Sequence, residues 1–244
     1  MLAKAAIRAR MRGAACASLL ALAGGCRVPH DAAPAPAAEV AAPVPAQPTT
    51  RADEVDAWPV VPELTTVTVV VRRAGPLARL GHDHVITSAD ERGTVWVGAT
   101  PAESAFELQL PVDRFDVDLP ESRAEAGAEF AAPVPDDARA GTRRNMLRAE
   151  VLDAARFPLL RLRSVGASGG WAQPTVRVAV ELRGATREFE VPVVVEREPQ
   201  ALLARGELRI NQSDFAITPF AVAGGAIQVA DVLEVRFRIA AHAP

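Results

Sequence analysis

Four stretches of the chain alternate strictly between apolar and polar side chains. In LLARGELRI, Leu202, Ala204, Gly206, Leu208 and Ile210 share one side, and Leu203, Arg205, Glu207 and Arg209 share the other. TVRVAVELR sets Val176, Val178, Val180 and Leu182 against Arg177, Ala179, Glu181 and Arg183. REFEVPVVVE puts Phe189, Val191, Val193 and Val195 on its apolar side, and DVLEVRFRIA does the same with Leu233, Val235, Phe237 and Ile239. A sustained period of two marks strands with one dry and one wet face, as in antiparallel sheets.

Further strands are expected over 64–72, 93–98, 105–112 and 159–165, about eight in all. RGAT at 183–186 suits a tight hairpin turn, and Pro192, on a wet side, predicts an edge or a bulge. One helix is expected in TRRNMLRAEVLDAARFP (142–158), capped by Thr142, with Met146, Leu147 and Val151 on one face and Pro158 ending it. Eight half-dry antiparallel strands lose their exposed edges most economically by closing into a barrel. A two-sheet sandwich fits the same pattern less well.

The dry side is valine, leucine, alanine and glycine, with 5% aromatic residues overall and no tyrosine. An eight-stranded barrel is wide enough either to be filled by side chains or to hold one small ligand. Small residues at 204 and 206 leave room, and an uncharged lumen suits an apolar guest. A barrel filled by its own side chains, serving a structural or interaction role, gives the same periodicity.

The ends add a location. Four basic residues and no acidic one precede Cys26, followed by the apolar run GAACASLLALAGG. This is the order of a secretory signal over 1–25, and the apolar run is too short to span a bilayer. The ending LAGGC resembles the lipobox of bacterial lipoproteins, in which the cysteine is acylated and heads the mature chain. Residues 26–58 are rich in alanine and proline and read as a disordered tether that includes His30. The folded domain is expected over 59–244. Arg27, not aspartate, follows Cys26, which points to a periplasm-facing lipoprotein of the outer rather than the inner membrane. Besides Cys26 the only cysteine is Cys16, inside the signal, so the domain has no disulfide or thiolate site. Taking four of the 27 basic residues away with the signal leaves 23 against 30 acidic ones, a net charge of −7. That balance argues against nucleic acid as a partner.

Five segments, GPLARLGHDHVI, VDRFDVDLPESR, NMLRAEVLDAARFPLLRLRS, VELRGATREFEVPV and LRINQSDFAITPF, follow one another in this order. Together they resemble the YceI-like family of bacterial secreted proteins, in a GHDH-type subgroup, across roughly residues 62–241. The resemblance implies an all-β, eight-stranded antiparallel lipocalin-like β-barrel with one or two short helices. It also implies a long isoprenoid lipid or quinone tail as ligand, with no cofactor and no catalytic residues. Two departures are Val151-Leu152 in place of an aromatic pair and Ala216 in place of a glycine.

Chemistry concentrates at His82-Asp83-His84. The two imidazoles of an extended segment point the same way and could share a metal ion, if a carboxylate completed the set. A His–carboxylate pair could instead serve a hydrolytic serine such as Ser88 or Ser213, although no G-x-S-x-G elbow is present. In the third reading the segment is a barrel corner. Gly81 permits a tight backbone, Asp83 bonds nearby N–H groups, and the imidazoles line the mouth, where they meet a ligand's polar end. The expected ligand-contacting set is His82, Asp83 and His84 at the mouth, with Met146, Val178, Val180, Val191, Val193, Ala204, Gly206, Leu208, Phe215, Val235 and Phe237 along the lumen. The expected function is binding of an amphiphilic lipid without covalent chemistry.

Overall fold

Inward and outward side chains alternate around one continuous antiparallel wall. The structure, a computed structural model, describes residues 56–244. The signal, Cys26 and nearly all of the tether lie outside the described residues. Twelve strands are found among these: β1 (Asp56–Pro59), β2 (Thr66–Ala74), β3 (His84–Thr87), β4 (Arg92–Val97), β5 (Ala105–Pro111) and β6 (Asp116–Val117), then β7 (Leu159–Ser168), β8 (Thr175–Leu182), β9 (Ala185–Glu198), β10 (Ala201–Asn211), β11 (Ala221–Val222) and β12 (Ile227–His242). Trp58, in β1, is only 4% exposed, so the barrel begins inside the stretch read as tether.

The count exceeds eight because three long strands bend. β1 pairs with β4 while β2 pairs with β3, and β4 pairs with β5 while β3 pairs with β6. Each of β1/β2, β3/β4 and β5/β6 is therefore one bent strand with one set of neighbours. From there the order runs β5–β7–β8–β9–β10–β12–β2, with short β11 set beside β12. Counting each bent pair once recovers eight long strands.

The bent strand β1/β2 closes the ring, through the β2–β12 ladder and, at its bend, through two consecutive residues. The Val60 N–H donates to Gly93 O at 3.0 Å, and the Val61 N–H donates to Ala240 O at 2.9 Å. Val60 also bridges Ala241. One residue thus faces β4 and the next faces β12.

Both helices fall between β6 and β7 in the chain. α1 (Pro120–Ala126) opens with proline, whose missing N–H costs nothing at a helix start. Ala126 and Phe130 beyond it pack on Val70 and Val85, which face away from the lumen. α2 (Asp136–Leu147) starts six residues before the expected cap, with Asp136 and Asp137 where the helix dipole favours carboxylates. Thr142 is therefore inside the helix. The helix stops at Leu147 because Arg148 turns extended (ψ 160°), so Val151 does not continue its face.

The hairpin at Arg183-Gly184 is as expected, with φ of 52° and 76° joining paired Leu182 and Ala185. The β9–β10 ladder ends at Val193 and Gly206, one residue short of Pro192. The missing proline donor falls where β10 has no claim on it. Beyond that point Gln212–Phe215 lies against β9 and β10, with Phe215 fully buried and its ring 6.3 Å from that of Phe189.

Candidate ligand cavity

The barrel is not packed solid. Inward side chains surround two joined lobes, of about 170 Å³ and about 280 Å³. The smaller is almost wholly apolar, walled by residues such as Val95, Phe106, Val176, Val195, Leu202 and Trp171. The larger has an apolar wall of Val69, Val71, Ile86, Phe115, Leu160 and Leu182. It also carries the polar groups Arg73, His82, His84, Thr142, Asn145, Gln212 and Gln228. Val67, Leu162, Val180, Leu208 and Val235 border both lobes and form the waist between them. Along β10 the lining reaches from Leu202 to Ile210, which is about 27 Å at the rise of an antiparallel strand.

His84 is anchored from behind. Its Nδ1 lies 2.6 Å from Asp118 Oδ2. Asp118 Oδ1 accepts the Val85 N–H at 2.9 Å and Arg123 Nη1 at 2.6 Å. The guanidinium also donates to three carbonyls, those of Asp83, Phe130 and Ala132. The Asp118 side chain has no exposed surface. Burial by itself pushes its pKa up, but hydrogen bonds from His84, the Val85 amide and Arg123 outweigh burial and hold it below the usual carboxylate value. The local backbone sets this up. Asp118 adopts φ 54° directly after β6, and its N–H donates to Val85 O at 2.7 Å. An aspartate tolerates that conformation better than most residues.

Sequence and architecture agree on the family. Residues 58–241 match the YceI-like domain. The chain belongs to the YceI-like family. Among the solved structures that share the fold of this YceI-like chain are two from other bacteria. Burkholderia cenocepacia BcnA is 16% identical with a TM-score of 0.55, over 74% of this chain and 98% of BcnA. A polyisoprenoid binding domain from Saccharophagus degradans is 10% identical with a TM-score of 0.53, over 78% of this chain and all of that domain. No curated protein matches the sequence.

Within this YceI-like barrel, eight of the anticipated lumen residues line the apolar lobe: Val178, Val180, Val191, Val193, Ala204, Leu208, Val235 and Phe237. His82, His84 and Met146 line the larger lobe. Three residues are placed elsewhere. Gly206 leaves no free space, because the Phe237 ring fills it: a Cβ there would sit 2.5 Å from Phe237 Cζ. Phe215 packs behind the wall with Ile217 and Phe189. Asp83 turns from the lumen to accept the Arg73 N–H at 2.8 Å and to pair with Arg72 at 3.6 Å.

The imidazoles of His82 and His84 border the same lobe, ring centroids 6.3 Å apart. Among the described residues, no group of three or more His, Cys, Asp or Glu side chains is placed to hold a metal ion. The hydroxyls of Ser88 and Ser213 bond the carboxylates of Glu91 and Asp231, and neither serine borders the histidine lobe. Sequence reasoning missed Asp118 and Arg123. Both stand in VDRFDVDLPESR, one of the family segments, but only the pairing of β3 with β6 brings that segment to His84.

Proposed function

We propose that this protein binds an amphiphilic isoprenoid lipid in its barrel, to carry or sequester it in the cell envelope without covalent chemistry. The two-lobed cavity carries the reading, because one end is apolar and the other holds polar side chains. Such a gradient suits a long hydrocarbon tail with a small polar head. The family and the fold shared with a polyisoprenoid binding domain support the same class of ligand. The tail lies along β8, β9 and β10 through the waist, and the head rests among His82, His84 and Met146. The polar contacts orient the molecule, while most of the affinity comes from apolar burial.

Cys26 is the proposed point of acylation, with the alanine- and proline-rich segment after it letting the barrel stand off the outer membrane on its periplasmic side. Acyl chains on one cysteine give firm anchoring only when there are several of them.

Native mass spectrometry of protein purified from membranes in a mild detergent tests the binding reading. The expected result is an added mass released by organic extraction as a prenyl lipid. Apo protein that takes up no prenyl lipid from mixed micelles would sink it.

A further inference from the structure

Asp118 ties His84 by one ring nitrogen and leaves the other beside the lumen. The carboxylate offers only lone pairs, so the hydrogen of the 2.6 Å contact belongs to Nδ1. An uncharged imidazole held this way presents Nε2 as a bare acceptor. Nε2 has no hydrogen-bond partner among the described residues, and His84 borders the larger lobe.

The surrounding charges are already matched. Arg123 sits 2.6 Å from Asp118, so the buried carboxylate already has a cationic partner. Arg73, also on this lobe, is 3.6 Å from Asp83, and Arg72 nearby pairs with Asp83, Glu129 and Glu234. His82 is the remaining titratable group on the lobe, beside the uncharged Thr142, Asn145, Gln212 and Gln228. A charged head would meet no unmatched partner of opposite sign, and at Nε2 a head with acceptors only would face a lone pair.

We propose that the cavity selects an uncharged isoprenoid alcohol, whose O–H donates to His84 Nε2, with Asp118 as the positioning residue that sets the histidine's tautomer. The inference rests on the lipid-binding reading above. A quinone, whose ring oxygens only accept, is disfavoured at this position.

The test compares geranylgeraniol, its methyl ether and its monophosphate by calorimetric titration into the full chain. The alcohol is expected to bind about tenfold more tightly than the ether, the value of one such hydrogen bond. Asp118→Asn changes the rule. The Val85 N–H and Arg123 both require an acceptor at the Oδ1 position, so the amide oxygen goes there and its NH₂ faces Nδ1. The hydrogen of His84 then moves to Nε2, the ether gains a donor, and the gap between alcohol and ether closes. A role confined to packing would lower both affinities together and leave the gap intact. His84→Phe, which keeps a ring in place but removes the acceptor, should also bring alcohol and ether to equal affinity, and it stands as the test if the asparagine variant does not fold. Equal binding of alcohol and ether to the unaltered chain, or tightest binding of the monophosphate, would overturn the inference and leave lipid binding standing. Binding of none of the three would overturn the lipid-binding reading itself.

Discussion

The ring of Phe237 occupies the space that a side chain on Gly206 would need. The two residues are directly paired across β10 and β12, and a Cβ on residue 206 would also come 2.9 Å from Pro192 O. The ring can tilt but the carbonyl is backbone. Gly206→Ala should therefore cost about 1–3 kcal/mol, as overpacking of a filled site does. Urea denaturation checks this, and an unchanged midpoint would show that the wall yields freely.

Asp118 predicts an acid-sensitive barrel. Its folded pKa lies below the usual value, so its contribution is complete above the unfolded aspartate pKa of about 3.9 and is lost as pH falls through the folded one. The unaltered protein should lose more stability between pH 6 and pH 2.5 than Asp118→Asn does, by denaturant midpoints at each pH. Parallel acid slopes would contradict it. At pH 7, Asp118→Ala strands the buried Arg123 and should cost about 3–5 kcal/mol.

Ala204 offers a way to block the cavity without breaking the fold. It borders the apolar lobe, so Ala204→Phe adds a ring to open volume rather than to packed core. Stability should change by less than about 1.5 kcal/mol, while prenyl-lipid uptake by native mass spectrometry falls at least several-fold. Undiminished uptake would mean that the tail does not enter this lobe.

Trp171 supplies an optical report. Of the three tryptophans it alone borders the cavity, with Nε1 bonded to Ala99 O at 2.9 Å and Arg197 over its ring. Lipid uptake should shift tryptophan emission, and Trp171→Phe should abolish the shift while lipid still binds. A shift that survives would point to Trp58 or Trp96.

What could be read beforehand follows from how many faces of a strand are buried. β8, β9, β10 and the C-terminal half of β12 each have one wet face, and their alternation names most of the apolar lobe. β3 has none: His84 and Ile86 face the lobe, while Val85 is buried outside under Ala126 and Phe130. HVIT therefore does not alternate, and the segment looks like a corner. β1 is four residues ending in proline next to a proline-rich stretch, so composition hides it. α2 begins ahead of the apolar residues that suggest it, because its exposed first turns carry little apolar periodicity and its start is set by Pro135 and two aspartates. The His84–Asp118 contact spans 34 residues, and only tertiary pairing makes it.

The seam between β1/β2 and β12 also has a kinetic meaning. Almost every other neighbour in the wall is reached by folding back onto adjacent chain, which can zip early and locally. At the seam the partners are distant, as in the Ala240 N–H bond to Thr65 Oγ1 across 175 residues. Contacts of such separation bear the greatest loop-closure entropy and form late. A folding chain is thus an open trough, not a container, until its last long strand has docked along β2.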